Sequence, residues 1–270
     1  MTVLHVIVRA GVFCFVLLSV AGLLCACRNG DTASTDELFA ARTALTRQEW
    51  MHAERLIEHY LRDSQDVNTR WEAWQYLLTA MNANGLSQHA LLQVLETMLV
   101  EFADDEMRKA VILYRIGECA EKMQHFERAA ESWKSYVELA NIKDEQRMEG
   151  YRRLAAIELR LRQFDDGEHA LLQCISMPLA FHDKIVCMFD LADQYMAREQ
   201  WKHVVDLCSQ ILESKPEGTL LGMTEYMLAD ALEQQGNRKE SLHFFERALK
   251  SYPNVSVIEK RIAQLRKKTR

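Results

Sequence analysis

Paired acidic residues are the first groups in this chain whose chemistry could serve catalysis. Asp104-Asp105 and Asp165-Asp166 each place two carboxyl groups side by side, and carboxyl groups are common general acids and bases. Aspartate is also favoured at turns and helix starts, where its side chain accepts backbone N–H groups. The sequence contains no P-loop, GxGxxG, GxSxG or HExxH motif. We therefore predict that the protein is not an enzyme and needs no cofactor.

Histidines recur at related places, which raises the question of a metal site. His52, His89 and His203 share one place in a pattern that repeats about every 37 residues, and His169 and His243 share another. Packed helices lie about 8–10 Å apart, whereas a ligand atom lies about 2 Å from its metal. One metal ion cannot be shared along such a column, so we predict no metal site.

Four of the seven cysteines lie in the body of the chain, at Cys119, Cys174, Cys187 and Cys208. Their places in the repeating pattern are small or buried ones, where cysteine serves as a small hydrophobic residue. Cys174 and Cys187 are expected near the facing ends of two consecutive helices. They are the candidate disulfide in an oxidising compartment, and the sequence leaves open whether they are linked.

Small or apolar residues recur at a near-constant interval, which indicates the elements that position these groups. Successive members of one column are 37, 39, 38, 37 and 37 residues apart, and a second column follows the first by twelve residues. Such a period indicates a repeat array. The first column is Ala41, Leu78, Gly117, Ala155, Ala192 and Ala229, and the second is Ala53, Ala90, Ala129, Gly167, Val204 and Ser241.

Each repeat has the apolar spacing of two helices. In the last repeat, apolar residues at intervals of three and four precede and follow Gly236, a residue suited to a turn, and Pro253 ends the second helix. One hairpin cannot bury both of its faces, so neighbours are expected to stack. The sequence predicts an all-α solenoid of about six hairpins over residues 36–253.

On these residues the chain resembles the tetratricopeptide repeat (TPR) family. The resemblance covers about residues 36–253 and implies a concave groove, lined by the first helix of each repeat, that binds a protein. Glu225 departs from the family pattern, which has an aromatic residue there. The last repeat matches with Leu228, Ala229, Gly236, Phe245, Ala248 and Pro253, and the third with Ile116, Gly117, Phe126, Ala129 and Trp133.

The resemblance also names groove residues, at two places of each first helix. Aromatic residues and arginine are typical anchors for a protein ligand, and the acids suggest a basic or extended partner segment. The alternative is that the aromatic side chains only pack against neighbouring repeats. The groove candidates are Tyr114, Glu118, Arg152, Phe189, Asp193, Tyr226 and Asp230.

The last segment, residues 254–270, is predicted to be a capping helix. Ile258, Ile262 and Leu265 recur at helical spacing and are expected to face the last repeat. The opposite face is basic, which suits a solvated helix end; the alternative is contact with anionic lipid. The basic residues are Lys260, Arg261, Lys267, Lys268 and Arg270.

The amino terminus suggests the compartment. Residues 10–24 form an uncharged apolar run after Arg9, as in a secretory signal. The run ends in Leu24-Cys25-Ala26-Cys27, which resembles a bacterial lipobox and implies a signal peptide over residues 1–26, lipid on Cys27, and a flexible tether over residues 27–35. The alternative is an uncleaved anchor helix.

These observations lead to two classes of function. The net charge of −6 argues against nonspecific nucleic-acid binding. The first hypothesis is a lipid-anchored interaction scaffold of the bacterial envelope, favoured at the outer membrane facing the periplasm, that binds an envelope or periplasmic protein; within this class the chain loosely resembles BamD of outer-membrane protein assembly. The second is a ligand-handling accessory of a transporter, with an apolar tunnel behind Phe189 and Met196.

Overall fold

The computed structural model describes residues 36–268, and this part of the chain consists of thirteen helices without a strand. The predicted all-α fold is therefore confirmed. The predicted signal peptide, Cys27 and the tether lie outside the described residues. No helix within residues 36–268 combines the length and apolar character that crossing a bilayer requires. The helices are α1 (36–46), α2 (Trp50–Asp63), α3 (Val67–Ala83), α4 (Gln88–Glu101), α5 (Glu106–Lys122), α6 (Phe126–Val137), α7 (Asp144–Arg160), α8 (Phe164–Ser176), α9 (Phe181–Ala197), α10 (Trp201–Glu213), α11 (Gly218–Gln234), α12 (Arg238–Ala248) and α13 (Val255–Lys268).

The chain divides into two compact units between Val94 and Leu95. Helices α1 to α3 belong to the first unit and α5 to α13 to the second, while the division falls within α4. All seven groove candidates lie in the second unit.

The two helices of a hairpin are joined by one recurring turn. The second residue after the first helix adopts a positive φ, as Gln124, two residues beyond Lys122, does at 59°. Its N–H donates to Glu121 O at 3.0 Å, and the N–H of His125 donates to Ala120 O at 2.9 Å. These two bonds form a Schellman motif, which satisfies the last carbonyl groups of the helix. The positive-φ residues at these turns are Gln48, Gly85, Gln124, Arg162, Glu199 and Gly236, with the spacing of the predicted repeat.

The small residues of the first column lie where the two helices of a hairpin approach closely. A Cβ atom on Gly117 of α5 would lie 2.5 Å from Cε2 of Trp133 on α6, and Trp133 is fully buried. All six members of the first column are buried. The column therefore marks helix crossings at which a larger side chain would push the helices apart.

Neighbouring hairpins share one apolar core rather than each having its own. A single cluster of buried side chains runs from Leu113 on α5 to Leu232 on α11. The next cluster joins α11 and α12 to α13, where Ile258, Ile262 and Leu265 are buried. The predicted capping helix is thus present at the end of the stack.

The four cysteines of the described chain are buried, as predicted. Cys174 of α8 and Cys187 of α9 form a disulfide, with their Cα atoms 6.2 Å apart. The bond links the second helix of one hairpin to the first helix of the next. Cys119 and Cys208 lie outside this disulfide as thiols, and burial raises the pKa of the Cys208 thiol to about 12.

Candidate protein-binding face of the second unit

The groove candidates lie on four first helices, α5, α7, α9 and α11, of consecutive hairpins in the second unit. We call the surface that they form with their polar neighbours the first-helix face. Its residues at the two predicted places are Tyr114 and Glu118, Arg152, Phe189 and Asp193, and Tyr226 and Asp230. The face therefore combines half-buried aromatic rings with charged groups.

The two tyrosines are fixed by aromatic neighbours within their own hairpins. The Tyr114 ring meets Trp133 edge to face at a centroid distance of 5.1 Å. The Tyr226 ring stacks on Tyr252 at 4.8 Å and meets Phe245 edge to face at 5.5 Å. Both rings thus contribute to packing and present only their remaining surface to a partner.

Phe189 is half-buried and packs against two apolar clusters, one of which contains Ile185, Met188 and Ile211. Met196, about two turns further along α9, also packs against the main core. Phe189 and Met196 therefore cover the apolar core where α9 contributes to the first-helix face.

Ion pairs connect the first helices of consecutive hairpins. Arg153 of α7 lies 3.8 Å from Glu118 and 3.3 Å from Glu121, both on α5. Arg152 of α7 donates from Nε to Oδ2 of Asp190 on α9 at 2.6 Å. The charged groups of the face therefore fix one hairpin against the next.

Arg261 of α13 makes the corresponding contact at the end of the stack. It pairs with Asp230, and its Nη2 lies 3.1 Å from Oε2 of Glu233. The prediction that Arg261 belongs to a solvated basic face is therefore wrong for this residue. The tail helix continues the stack, so its arginine meets the acids of α11 as Arg153 meets those of α5.

Asp193 occupies the same repeat position as Glu118 and Asp230 but differs from both. Within residues 36–268 it has neither an ion pair nor a hydrogen bond, although it lines a pocket of about 260 Å³ between α7 and α9. Arg152 and Asp190 line the same pocket. The pocket thus contains one carboxylate that the chain itself does not neutralise.

Burial and neighbouring charges shift the carboxyl pKa of both aspartates in this pocket, Asp190 and Asp193. Desolvation raises the pKa of the Asp193 carboxyl above its ordinary value, and the negative charge of Asp190 raises it further. Burial also raises the pKa of Asp190, although Arg152 acts in the opposite direction. A cation supplied by a ligand would stabilise the ionised form of either group.

Gln194 lines the same pocket and is almost fully buried, with 3% of its surface exposed. Its Nε2 donates to Ala155 O at 3.0 Å, while its Oε1 has no hydrogen-bond partner. A buried amide oxygen without a partner is costly. The pocket therefore offers one buried acceptor in addition to the Asp193 carboxylate.

Sequence reasoning identified Arg152 and Asp193 and missed Asp190, Glu149 and Gln194. The missed residues lie beside the family positions used for the prediction. One signal was available: Arg152 and Asp190 have opposite charges and are separated by about one repeat length, which places them on adjacent first helices.

Part of this chain matches a known family in sequence. Residues 224–254 match the family model of the tetratricopeptide repeat. A sequence search among curated proteins finds no match. The matched family consists of repeats typical of non-enzymatic scaffolds, and no catalytic family is indicated.

Many solved structures are similar to this chain, among them three with TM-scores of 0.55 to 0.61. The apo form of RapI has 10% identity and a TM-score of 0.61, covering 87% of this chain and 71% of its own. BtubC (BKLC) from P. vanneervenii has 14% identity and a TM-score of 0.55, covering 81% and 90%. A signal-transduction ATPase with numerous domains and a tetratricopeptide repeat sensor, from Pyrococcus horikoshii, has 16% identity and a TM-score of 0.55, covering 87% of this chain and 38% of its own. The chain thus has the fold of tetratricopeptide repeat proteins. Residues 224–254 are the part whose sequence matches the repeat of that family.

Proposed function

We propose that this protein is a membrane-tethered interaction module that binds another protein through the first-helix face. The unpaired Asp193 carboxylate carries the proposal. At the same repeat position, Glu118 and Asp230 each pair with an arginine of the next helix but one, Arg153 of α7 and Arg261 of α13. Asp193 lacks such a partner and stands in a pocket, so a basic side chain of another protein would complete the pattern.

The shape and charge of the face support an extended basic segment as the bound part of the partner. Phe189 offers apolar surface beside the pocket, and Asp193 and Gln194 offer acceptors within it. A few anchors, often aromatic residues or arginine seated in well-packed pockets, carry most of the binding energy in protein interfaces. A peptide placing lysine or arginine in the pocket and an apolar residue near Phe189 would use both features.

Envelope location and lipid anchoring are part of the proposal. They are supported by the apolar run over residues 10–24 and by the lipobox-like Leu24-Cys25-Ala26-Cys27. The Cys174–Cys187 disulfide also supports it, because structural disulfides persist in oxidising compartments such as the periplasm. Replacing Cys27 with alanine should release the protein from membranes, whereas C25A should remain membrane-bound; membrane fractionation with C27A unchanged would refute lipid anchoring.

The binding face is tested by site-specific photocrosslinking in the native cell. A photoreactive residue at Ala156, exposed in the pocket between α7 and α9, should give one defined adduct identified by mass spectrometry. D193N should reduce this adduct at least about tenfold, the expected loss for one charged contact of about 1.4 kcal/mol. The double variant R152A/F189A should abolish it.

The matched control is D206N, which removes the same charge from the exposed side of α10. It should leave the adduct unchanged, and helical circular dichroism should be equal in all variants. Equal crosslinking in D193N and D206N would show that the first-helix face is not the binding surface.

A further inference from the structure

A second pocket, of about 660 Å³, lies between α6, α7 and α8, and the proposed function makes no use of it. Its size is within the range of ligand sites, about 300–1,000 Å³. On α7 it is lined by Tyr151, Leu154 and Glu158, whereas the first-helix face uses Arg152 and Ala156. Because successive helical residues are rotated by about 100°, these two sets lie on opposite sides of α7.

Glu158 is the unusual residue of this pocket. It is 8% exposed, and its Oε2 has no hydrogen-bond partner. The same repeat position, three residues after the first column, holds buried Ala120, Tyr195 and Leu232 in the other hairpins of the second unit. A buried carboxyl without a partner is unfavourable where hydrocarbon would pack well. Comparison with the equivalent residues of the other hairpins therefore indicates that Glu158 is not at this position to fill the core.

The charges around Glu158 determine what the pocket attracts. Asp166 and Lys134 lie close enough to affect its titration in opposite directions, and His169 also lines the pocket. Three further carboxylates line it, at Glu127, Glu131 and Glu138. Only Glu131 among these three forms an ion pair within the described chain, with Arg128 at 3.6 Å. Carboxylates thus outnumber cations, and a positively charged ligand is favoured.

Apolar side chains form the rest of the wall. Val137 of α6 and Leu154 of α7 contribute aliphatic surface, and Tyr151 contributes an aromatic ring. A ligand that fits has a hydrocarbon stem beside these groups and a cationic end at the carboxylates. We propose that this pocket binds an alkylammonium group, either of a free amine or of a lysine side chain, with its nitrogen at Glu158.

The proposal is tested by isothermal titration calorimetry on the purified full-length chain. The probes are n-butylamine, which reproduces the lysine side chain, the diamine cadaverine, the tripeptide acetyl-Gly-Lys-Gly-amide, and neutral 1-butanol. We expect saturable binding of the amines and at least tenfold weaker binding of 1-butanol. In E158Q the affinity for the amines should fall at least tenfold.

The two sources of the ammonium group give different outcomes. Cadaverine binding at least tenfold tighter than the tripeptide assigns the pocket to free amines, and the reverse assigns it to a lysine of a protein. Either result supports an alkylammonium site. Amine affinities unchanged in E158Q, or equal affinities for n-butylamine and 1-butanol, would overturn it.

Two variants keep the result interpretable. E158L introduces the residue type that Leu232 supplies at the same repeat position, so it should fold with an unchanged or higher melting temperature while losing amine binding. D193N alters the opposite side of α7 and should leave amine binding within twofold. Loss of the Ala156 crosslink in D193N with amine binding retained would show that the two sites are independent.

Discussion

Glu225 of α11 is a buried carboxylate, 2% exposed, whose partner is Arg247 of α12 at 2.6 Å. The same repeat position holds Leu113, Tyr151 and Met188 in the other hairpins of the second unit. The ion pair therefore replaces an apolar contact between the two helices of the last hairpin. A charge buried at this position depends on its partner, because its desolvation is otherwise uncompensated.

Replacing Arg247 with methionine should destabilise the protein, because it leaves the Glu225 carboxylate buried and unpaired. Breaking a fully buried pair costs about 3–5 kcal/mol; we expect about 2 kcal/mol, since the Arg247 side chain is 45% exposed and water can partly replace it. The double variant E225M/R247M should recover most of this loss. Urea unfolding measures both, and an R247M variant as stable as the parent would show that the pair is dispensable.

Four carboxyl groups of the second unit have a pKa that is raised by desolvation. Desolvation raises the pKa of Glu158, Asp190, Asp193 and Asp230 above the ordinary values. Between the ordinary carboxyl pKa, roughly 4, and the raised values, the folded state binds more protons than the unfolded state. These groups therefore make the free energy of unfolding fall as the pH rises through that window.

E158Q isolates this effect at one residue. Its free energy of unfolding should equal that of the parent near pH 4 and exceed it near pH 7, because the variant no longer ionises a buried group. The control E145Q changes an exposed glutamate of α7 and should follow the parent at every pH. Urea unfolding from pH 4 to pH 8 gives the curves, and an E158Q curve parallel to the parent's would contradict the prediction.

At the scale of the elements, the repeat spacing and the small columns predicted the hairpins well. Residues such as Gly117 were recognisable because close helix crossings exclude larger side chains, and five of the six column positions hold Ala or Gly, Leu78 being the exception. The turns were harder to predict, because only Gly85 and Gly236 are glycines among six positive-φ turn residues. At the other turns, tertiary packing of the two helices imposes a conformation that the residue type does not favour.

Replacing Arg162 with glycine should therefore stabilise the α7–α8 hairpin. Arg162 has a φ of 60°, and left-handed backbone costs an L-residue with a Cβ about 1–2 kcal/mol, partly offset by the larger entropy that glycine loses on folding. We expect a net gain of about 0.5–1 kcal/mol and a melting temperature higher by about 1–4 °C. The reverse change, G236A at a φ of 87°, should lower it; R162G melting below the parent would contradict this account.

At the scale of the whole molecule, the candidate site depends on stacking that local sequence does not specify. Arg152 and Asp193 were predictable from their repeat positions, whereas the pairing of Arg261 with Asp230 was not. The sequence indicates that α13 is amphipathic, but its docking angle decides which basic residue reaches α11. The same limit applies to Asp193: its lack of a partner follows from what the next hairpin presents, and only the assembled stack shows it.

Stacked hairpins are stabilised mainly by their neighbours, so removal of α13 should act locally. Truncation after Asn254 would expose Ala229 and Phe245, which pack against Ile258 and Leu265. Each buried aliphatic side chain contributes about 1.5–3 kcal/mol, so amide protection in α11 and α12 should fall at least about tenfold while α5 to α8 keep theirs.

Hydrogen exchange with mass spectrometry resolves these segments. The control R261A removes the ion pairs of the tail helix without removing its apolar side chains, and it should lower protection in α11 much less than the truncation does. Equal loss of protection from α5 to α12 in the truncated chain would instead indicate one cooperative core. Unequal loss would mean that the α7–α9 pocket and the Glu158 pocket stay folded while the end of the stack opens, so that both binding tests can be repeated on the truncated protein.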